Sequence, residues 1–228
     1  MMYGKVTPMF SPADKGLIAA FIRDAERRSG CEIIPVMARQ SGRYDRGEDS
    51  FGVIIAGLLV AVAWWLASMA GQTSDSWAPS AASPLGLVAI LGLFLLGFVG
   101  GTFLATRFPI LKVLFVSQAE MADEVERAAH ACFYASGLRK APNAAGILIY
   151  VSLFERRVVV LGDAAVAAKL EDADWHRVTE VMRNAMFAGK PCDGLLSAIQ
   201  LTGMLLDGAF PAPDADAISF ADELVLID

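Results

Sequence analysis

FGVIIAGLLVAVAWWLASMA, Phe51 to Ala70, contains no charged residue, and its reading organises the rest of the chain. A helix rises about 1.5 Å per residue, so a run of this length reaches across a hydrocarbon core of about 30 Å. Trp64 and Trp65 lie toward its far end, where amphipathic rings suit the membrane interface. A second uncharged run, Leu85 to Thr106, is rich in Leu, Phe and Gly and stops at Arg107. Between the two, Gly71 to Pro84 carries Ser, Pro, Asp75 and Trp77 and reads as a loop. A buried helix of a soluble core is the competing reading for either run. Two consecutive runs of spanning length, joined by a short polar loop, predict instead a transmembrane hairpin. Gly97 and Gly101 have the G-x-x-x-G spacing that lets helix backbones approach closely, which predicts packing of the second span on the first.

Outside this stretch the composition is that of an ordinary globular protein. The whole chain has 228 residues, 55% of them hydrophobic, and a net charge of -6. No Lys/Arg-rich block is present, which argues against a nucleic-acid surface. Cys31, Cys132 and Cys192 are scattered, with no C-x-x-C pair, and read as buried free thiols in a reducing compartment, with a single disulfide as the alternative. Met1 to Phe10 lacks the basic start, apolar core and small-residue cleavage site of a signal peptide, so the first span is expected to direct insertion. The loop carries no Lys or Arg, whereas Arg39, Arg43 and Arg46 precede the first span and Arg107 and Lys112 follow the second. The positive-inside rule then predicts an inner-membrane protein with loop 71–84 outside and both termini cytoplasmic.

Working outward, Ser11 is a good N-cap, with Pro12 at the first helical position and Asp14 near the positive end of the dipole. Leu17, Ile18, Phe21, Ile22 and Ala25 form one apolar face, and Gly30 ends the helix. Cys31 to Ala38 reads as a strand in which Pro35 suggests an edge or a bulge. Beyond the spans, Ser117 and Glu120 form a capping box. The helix they open runs to about Ser136, with Ala122, Val125, Ala129, Cys132 and Phe133 inward and Gly137 as its stop. Ala141 to Ala145 reads as a turn. Gly146 to Phe154 and Arg157 to Leu161 read as strands of a tight hairpin, with only Glu155 and Arg156 between them, buried on both faces. Helices over about 173–188 and 193–206 supply cover, and an acidic tail, 211–228, ends in the apolar stretch Leu224 to Ile227.

The N-terminal helix and strand are too few to bury a core alone. The economical organisation is one α/β domain, residues 1–50 with 107–210, interrupted by the hairpin at 51–106. That geometry would hold the domain close to the bilayer through short tethers near Ser50 and Arg107. Two independent pieces are the rival arrangement, which leaves the first strand without a sheet.

Several runs resemble the TPM-domain family: A-E-R-R-S-G-C-E-I-I-P-V-M-A-R (Ala25 to Arg39), R-A-A-H-A-C-F-Y-A-S-G-L-R (Arg127 to Arg139), G-I-L-I-Y-V-S-L-F-E-R-R-V (Gly146 to Val158) and G-K-P-C-D-G-L-L-S-A-I (Gly189 to Ile199) with Phe210-Pro211. The resemblance covers nearly all of the chain outside the spans and points to the bacterial membrane branch with an inserted hairpin. It implies an α/β/α sandwich on a small sheet. It also implies roles that differ among members: photosystem repair, auxiliary roles at receptors, calcium binding, and acid phosphatase activity in plants. Many members act in the lumen or periplasm, whereas the charge rule places this domain in the cytoplasm.

Candidate site residues follow from position. Arg156 and Arg157, beside Glu155, could hold a phosphate or an acidic partner, or be ordinary charges at a turn. Asp163, just past a strand end, could bind a metal or orient a ligand, since ligands gather beyond strand C-termini; it also suits a turn or N-cap. Glu171, Asp172 and Asp174 could offer oxygens to Ca²⁺, but helix-start acids are explained by the dipole, and there is no D-x-D-x-D-G loop. Asp193 reads as an N-cap and a further ligand candidate. His130 and His176 have no zinc-spaced neighbours, and C-x₅-R, P-loop, G-x-S-x-G and H-E-x-x-H motifs are absent. No cofactor is expected from the residues themselves; calcium is implied by the resemblance alone. The expectation is a membrane-anchored, non-enzymatic interaction or regulatory module acting on membrane protein complexes. The alternative is a phosphatase-like or calcium-binding enzyme using Asp163 with Glu155 or Asp193.

Overall fold

A computed structural model describes residues 6–42, 44–71, 84–108, 116–138, 145–210 and 223–228. The chain separates into two compact units, Met1–Gly42 with Met121–Asp228, and Arg43–Glu120. The elements, in order, are α1 (Pro12–Ser29), β1 (Cys31–Ala38), α2 (Asp45–Gly71), α3 (Pro84–Arg107), α4 (Gln118–Ala135), β2 (Ala145–Ser152), β3 (Arg157–Gly162), α5 (Ala164–Ala167), α6 (Asp172–Phe187), α7 (Pro191–Asp207) and β4 (Val225–Ile227). A single 3₁₀ turn, Thr7–Met9, precedes them.

The first unit is a mixed α/β fold around a four-stranded sheet of order β3-β2-β1-β4. β1 runs parallel to β2 over its whole length, Cys31 opposite Ala145 and Ala38 opposite Ser152. β4 runs parallel to β1 beside Val36–Ala38, and β3 is antiparallel to β2. Alternation of side chains along the strands divides the core in two. Ile33 and Met37 of β1, with Ile147, Ile149 and Val151 of β2, pack under Ile18, Ile22 and Ala25 of α1, Val178 and Met182 of α6, and Leu195, Ile199 and Leu206 of α7. On the opposite face Val36, Ala38, Leu148 and Tyr150 meet Val125, Ala129 and Phe133 of α4 and Leu138. Helices on both faces make this an α/β/α sandwich. They explain why every residue of β2 is buried.

Local signals place most of these elements. Ser11 Oγ accepts from the Asp14 amide at 3.1 Å while Asp14 returns a bond to the Ser11 amide at 2.9 Å, a closed capping box. Gly30 ends α1 at φ 61, in the left-handed region where glycine is favoured. Ser117 Oγ accepts from the Glu120 amide at 3.0 Å at the start of α4.

Five expectations change. First, β1 is flanked on both sides, and its edge character is confined to its first half. The Arg39 amide donates to Ile227 O of β4 at 2.8 Å, so odd-numbered residues turn their amides toward β4. β4 begins opposite Val36, and Glu26 Oε1 takes the Ile33 amide at 2.9 Å in its place. Pro35, lacking an amide hydrogen, sits between the two. Second, the β2–β3 connection has four residues, Leu153–Arg156, because Ser152 pairs with Arg157. The Leu153 and Phe154 amides bond instead to Ala38 O and Arg39 O, and Arg156 turns the chain at φ 53. Third, β3 is an edge strand and only half-buried. Fourth, Ala145 is the first residue of β2 rather than part of a turn, while 141–144 fall outside the described residues. Fifth, the end of the tail, which by sequence could dock or stay free, docks as the fourth strand. Asp228 carboxylate oxygens accept from the Val6 amide and from the Thr7 hydroxyl at 2.6 Å. Residues 211–222, the rest of the expected tail, lie outside the described residues.

The second unit is a pair of helices. α2 and α3 each contain a stretch long and apolar enough to cross a membrane, Asp49–Leu66 and Gly86–Arg107, with mean hydropathy 1.9 and 2.4. Only 11% of each stretch is buried, whereas a core helix of a soluble fold would be mostly buried. The helix continues through Ser50 to Asp45, so the expected tether at Ser50 is itself helical. The two helices pack through small residues. A Cβ at Gly97 would lie 2.7 Å from Ala56 Cα, and one at Gly101 would lie 2.9 Å from Gly52 Cα. The G-x-x-x-G spacing therefore does bring the backbones together. The expected loop, apart from Gly71 and Pro84 at the helix ends, lies outside the described residues.

Candidate functional site

The carboxyl ends of β1 and β2, the region where open α/β sheets gather ligands, hold a buried polar cluster. Glu155 is 6% exposed despite sitting in a turn. Its Oε1 accepts from the Ser41 amide at 2.9 Å and the Gly42 amide at 3.3 Å, and its Oε2 accepts from Ser152 Oγ. Ser41 Oγ lies 3.0 Å from the Tyr150 hydroxyl, and burial pushes the Tyr150 phenol up, against the opposing influence of the Ser41 bond. A carboxylate accepting two backbone amides and a hydroxyl is a strong, charge-assisted anchor. It clips the β2–β3 connection to the segment that follows β1. Ser41, Tyr150 and Ser152 carry no motif; Ser152 is only three residues from Glu155, whereas the parallel pairing of β1 with β2 is what brings Ser41 to Glu155 and Tyr150. Arg156 is exposed beside this cluster, and Arg157 is half-buried as the first residue of β3.

Asp163 lies at the opposite end of the sheet. β3 runs against β1 and β2, so its C-terminal end meets the start of β2, where the Asp163 amide donates to Gly146 O at 3.0 Å. The structure thus separates Asp163 from Glu155, and the expectation of ligand binding beyond a parallel strand end does not transfer to β3. Asp163 is the N-cap of α5: its Oδ1 accepts from the Ala165 and Val166 amides at 3.0 and 2.9 Å. It also lines an open groove of about 300 Å³ with Leu161, Gly162, Ala164 and, from α4, His130, Phe133 and Tyr134. The His130 and Tyr134 rings stack with centroids 6.4 Å apart. By sequence His130 reads as structural or solvated; helical spacing alone, His130 to Tyr134 at i,i+4, is the signal that points to this groove.

The remaining candidates occupy helix starts. Asp193 is exposed in the first turn of α7, where Lys190 rather than Asp193 is the N-cap. α1 and α7 run side by side in the same direction: a Cβ at Gly203 would lie 2.7 Å from Ala25 Cβ, and Cys192 meets Asp14. Burial, then the charges of Asp14 and Asp193, push the Cys192 thiol up. Burial likewise raises Cys132 and pushes Cys31 up to about 12. All three cysteines are free thiols. In the acidic cluster before Trp175, Asp174 Oδ2 accepts from the Glu171 amide at 3.2 Å, which is a capping contact. Among the described residues, no group of three or more His, Cys, Asp or Glu side chains is placed to share a metal ion.

Residues 110–205 match the family model for the TPM domain. The NMR structure of BA42 protein from the psychrophilic bacterium Bizionia argentinensis is similar in fold, with a TM-score of 0.56 and 15% identity over 97% of each chain. No curated protein matches.

Proposed function

We propose that this chain, whose residues 110–205 match the TPM domain, is a membrane-anchored interaction or regulatory module acting on membrane protein complexes. The observation that carries this reading is the glycine-packed pair α2 and α3, which leaves its apolar side chains exposed and lies in sequence between two strands of one sheet, β1 and β2. A bilayer is the solvent that suits such a surface. Inserting it between paired strands ties the sandwich to the membrane at two points, so whatever the sandwich binds is held at the membrane. The basic residues flanking the hairpin favour a bacterial inner membrane, both termini cytoplasmic and loop 71–84 outside. Glu155, Asp163 and Asp174 are engaged in bonds that hold turns and helix starts, which favours binding over turnover.

Crosslinking in native membranes, followed by affinity purification, tests this. The expected result is a chain resistant to alkaline extraction and recovered with a reproducible membrane-protein partner. Recovery in the soluble fraction, or alone, overturns it. A second reading, a phosphatase-like or calcium-binding protein, is favoured by the placement of Asp163 in a groove with His130. Phosphate-ester turnover by purified protein that is lost in Asp163→Asn, with the fold intact, would establish the enzyme reading instead.

A further inference from the structure

We infer that the groove between α4 and the end of β3 receives the guanidinium of an arginine side chain from a partner protein. This deepens the interaction-module reading and rests on it.

Four features of the groove point to that chemistry. Asp163 supplies a half-buried carboxylate, fixed in place because Oδ1 is bonded to the Ala165 and Val166 amides. Tyr134 supplies an aromatic face, 61% exposed, which is high for a large ring in a folded unit. The His130 ring stacks beside that of Tyr134, with centroids 6.4 Å apart. His130 and Tyr134, both exposed and four residues apart on α4, line the groove with Asp163, and exposed Glu126 extends their stripe by one further turn of the helix. A planar cation is the group that satisfies both ends of such a site. It forms charge-assisted bonds to a carboxylate and stacks on an aromatic face. An ammonium is a compact point charge and uses the ring face less well. The opening, about 300 Å³, is at the lower limit of small-molecule pockets and suits one side chain.

The chain has two histidines, so the imidazole signals of His130 and His176 give a probe and an internal control. The full-length protein in detergent is titrated at fixed pH with acetyl-Gly-Arg-Gly-amide, and with its citrulline counterpart, which is planar but uncharged. The expected result is a saturable shift of His130, no shift of His176, and at least tenfold weaker binding of the citrulline peptide. Asp163→Asn preserves an N-capping side chain and should weaken arginine-peptide binding at least tenfold. Tyr134→Leu, an exposed position, should weaken it severalfold. Equal binding of the two peptides, or binding indifferent to Asp163→Asn, overturns the assignment. The titration needs no membrane partner. Failure to recover one would therefore count against the module reading, whereas failure of the titration would count against the arginine site alone.

Discussion

Glu155 Oε1 lies 2.9 Å from the Ser41 amide nitrogen, across 114 positions of sequence that include both apolar helices. One buried carboxylate thus joins the end of the segment before the hairpin to the turn between β2 and β3. Replacing Glu155 with Ala would leave the Ser41 and Gly42 amides and the Ser152 hydroxyl without this acceptor. A loss of about 3 kcal/mol is expected, with Glu155→Gln losing about 1 kcal/mol because it keeps one acceptor oxygen. Denaturant unfolding of the detergent-solubilised protein, followed by far-UV circular dichroism, checks both values.

Between α2 and α3 the glycines divide into two groups. A methyl group at Gly97 or Gly101 would meet neighbouring backbone within 3 Å, whereas one at Gly92 or Gly100 would meet nothing within 4 Å. Gly97→Val and Gly101→Val should therefore separate the helices and cost about 1–3 kcal/mol, the usual range for overpacking. Gly92→Ala and Gly100→Ala should be neutral or slightly stabilising. Denaturant unfolding of each variant in detergent, followed by far-UV circular dichroism, reads the difference.

Cys31 is held protonated by burial, with its folded value at about 12. The unfolded thiol ionises at about 8.5. Above that pH the unfolded chain releases a proton that the folded chain keeps, so stability falls as pH rises from about 8.5 to about 12. Below the unfolded value the contribution is fully present. Each such group contributes at most about 1.4 kcal/mol per pH unit in that window. Melting temperatures from pH 8 to 11 should fall less steeply for Cys31→Ala than for the unsubstituted protein. The same burial predicts that Cys31 resists maleimide at neutral pH until the protein is denatured.

The proposed orientation is tested at Ser76, in the segment between the two apolar helices that the sequence predicts to be an outside loop. Ser76→Cys in intact cells should react with an impermeant maleimide from outside, while a cysteine placed at Asp228 should react only after the membrane is breached. Protection at Ser76 together with outside labelling at Asp228 reverses the orientation.

Most elements of secondary structure were legible because local rules govern them. Ser11 with Asp14, Gly30, Gly137 and the apolar period of Ile18, Ile22 and Ala25 are decided within a turn or two of chain. The G-x-x-x-G at Gly97 and Gly101 was legible for the same reason: a small-residue face at helical spacing has one main use between apolar helices. β4 was not legible. Its three residues gain their strand identity only from the exposed edge of β1 at Val36–Ala38. The burial of Glu155 was equally hidden. A charged residue in a turn reads as solvated until the Ser41 and Gly42 amides are known to face it.

Charge-free length and side-chain periodicity, properties carried by neighbouring residues, therefore determined from sequence alone that two long apolar helices interrupt an α/β domain. The parallel pairing of β1 with β2 was decided only in three dimensions, whereas the antiparallel return of β3 follows from the short connection already visible in the sequence. Because β3 returns antiparallel beside β2, Asp163 lands at the opposite end of the sheet from Glu155 and faces His130 and Tyr134 across a groove. Hydrogen-bond pairing between distant segments, Cys31–Ala38 with Ala145–Ser152, gathers Ser41 with Glu155 at one end of the sheet, and no local pattern encodes that pairing.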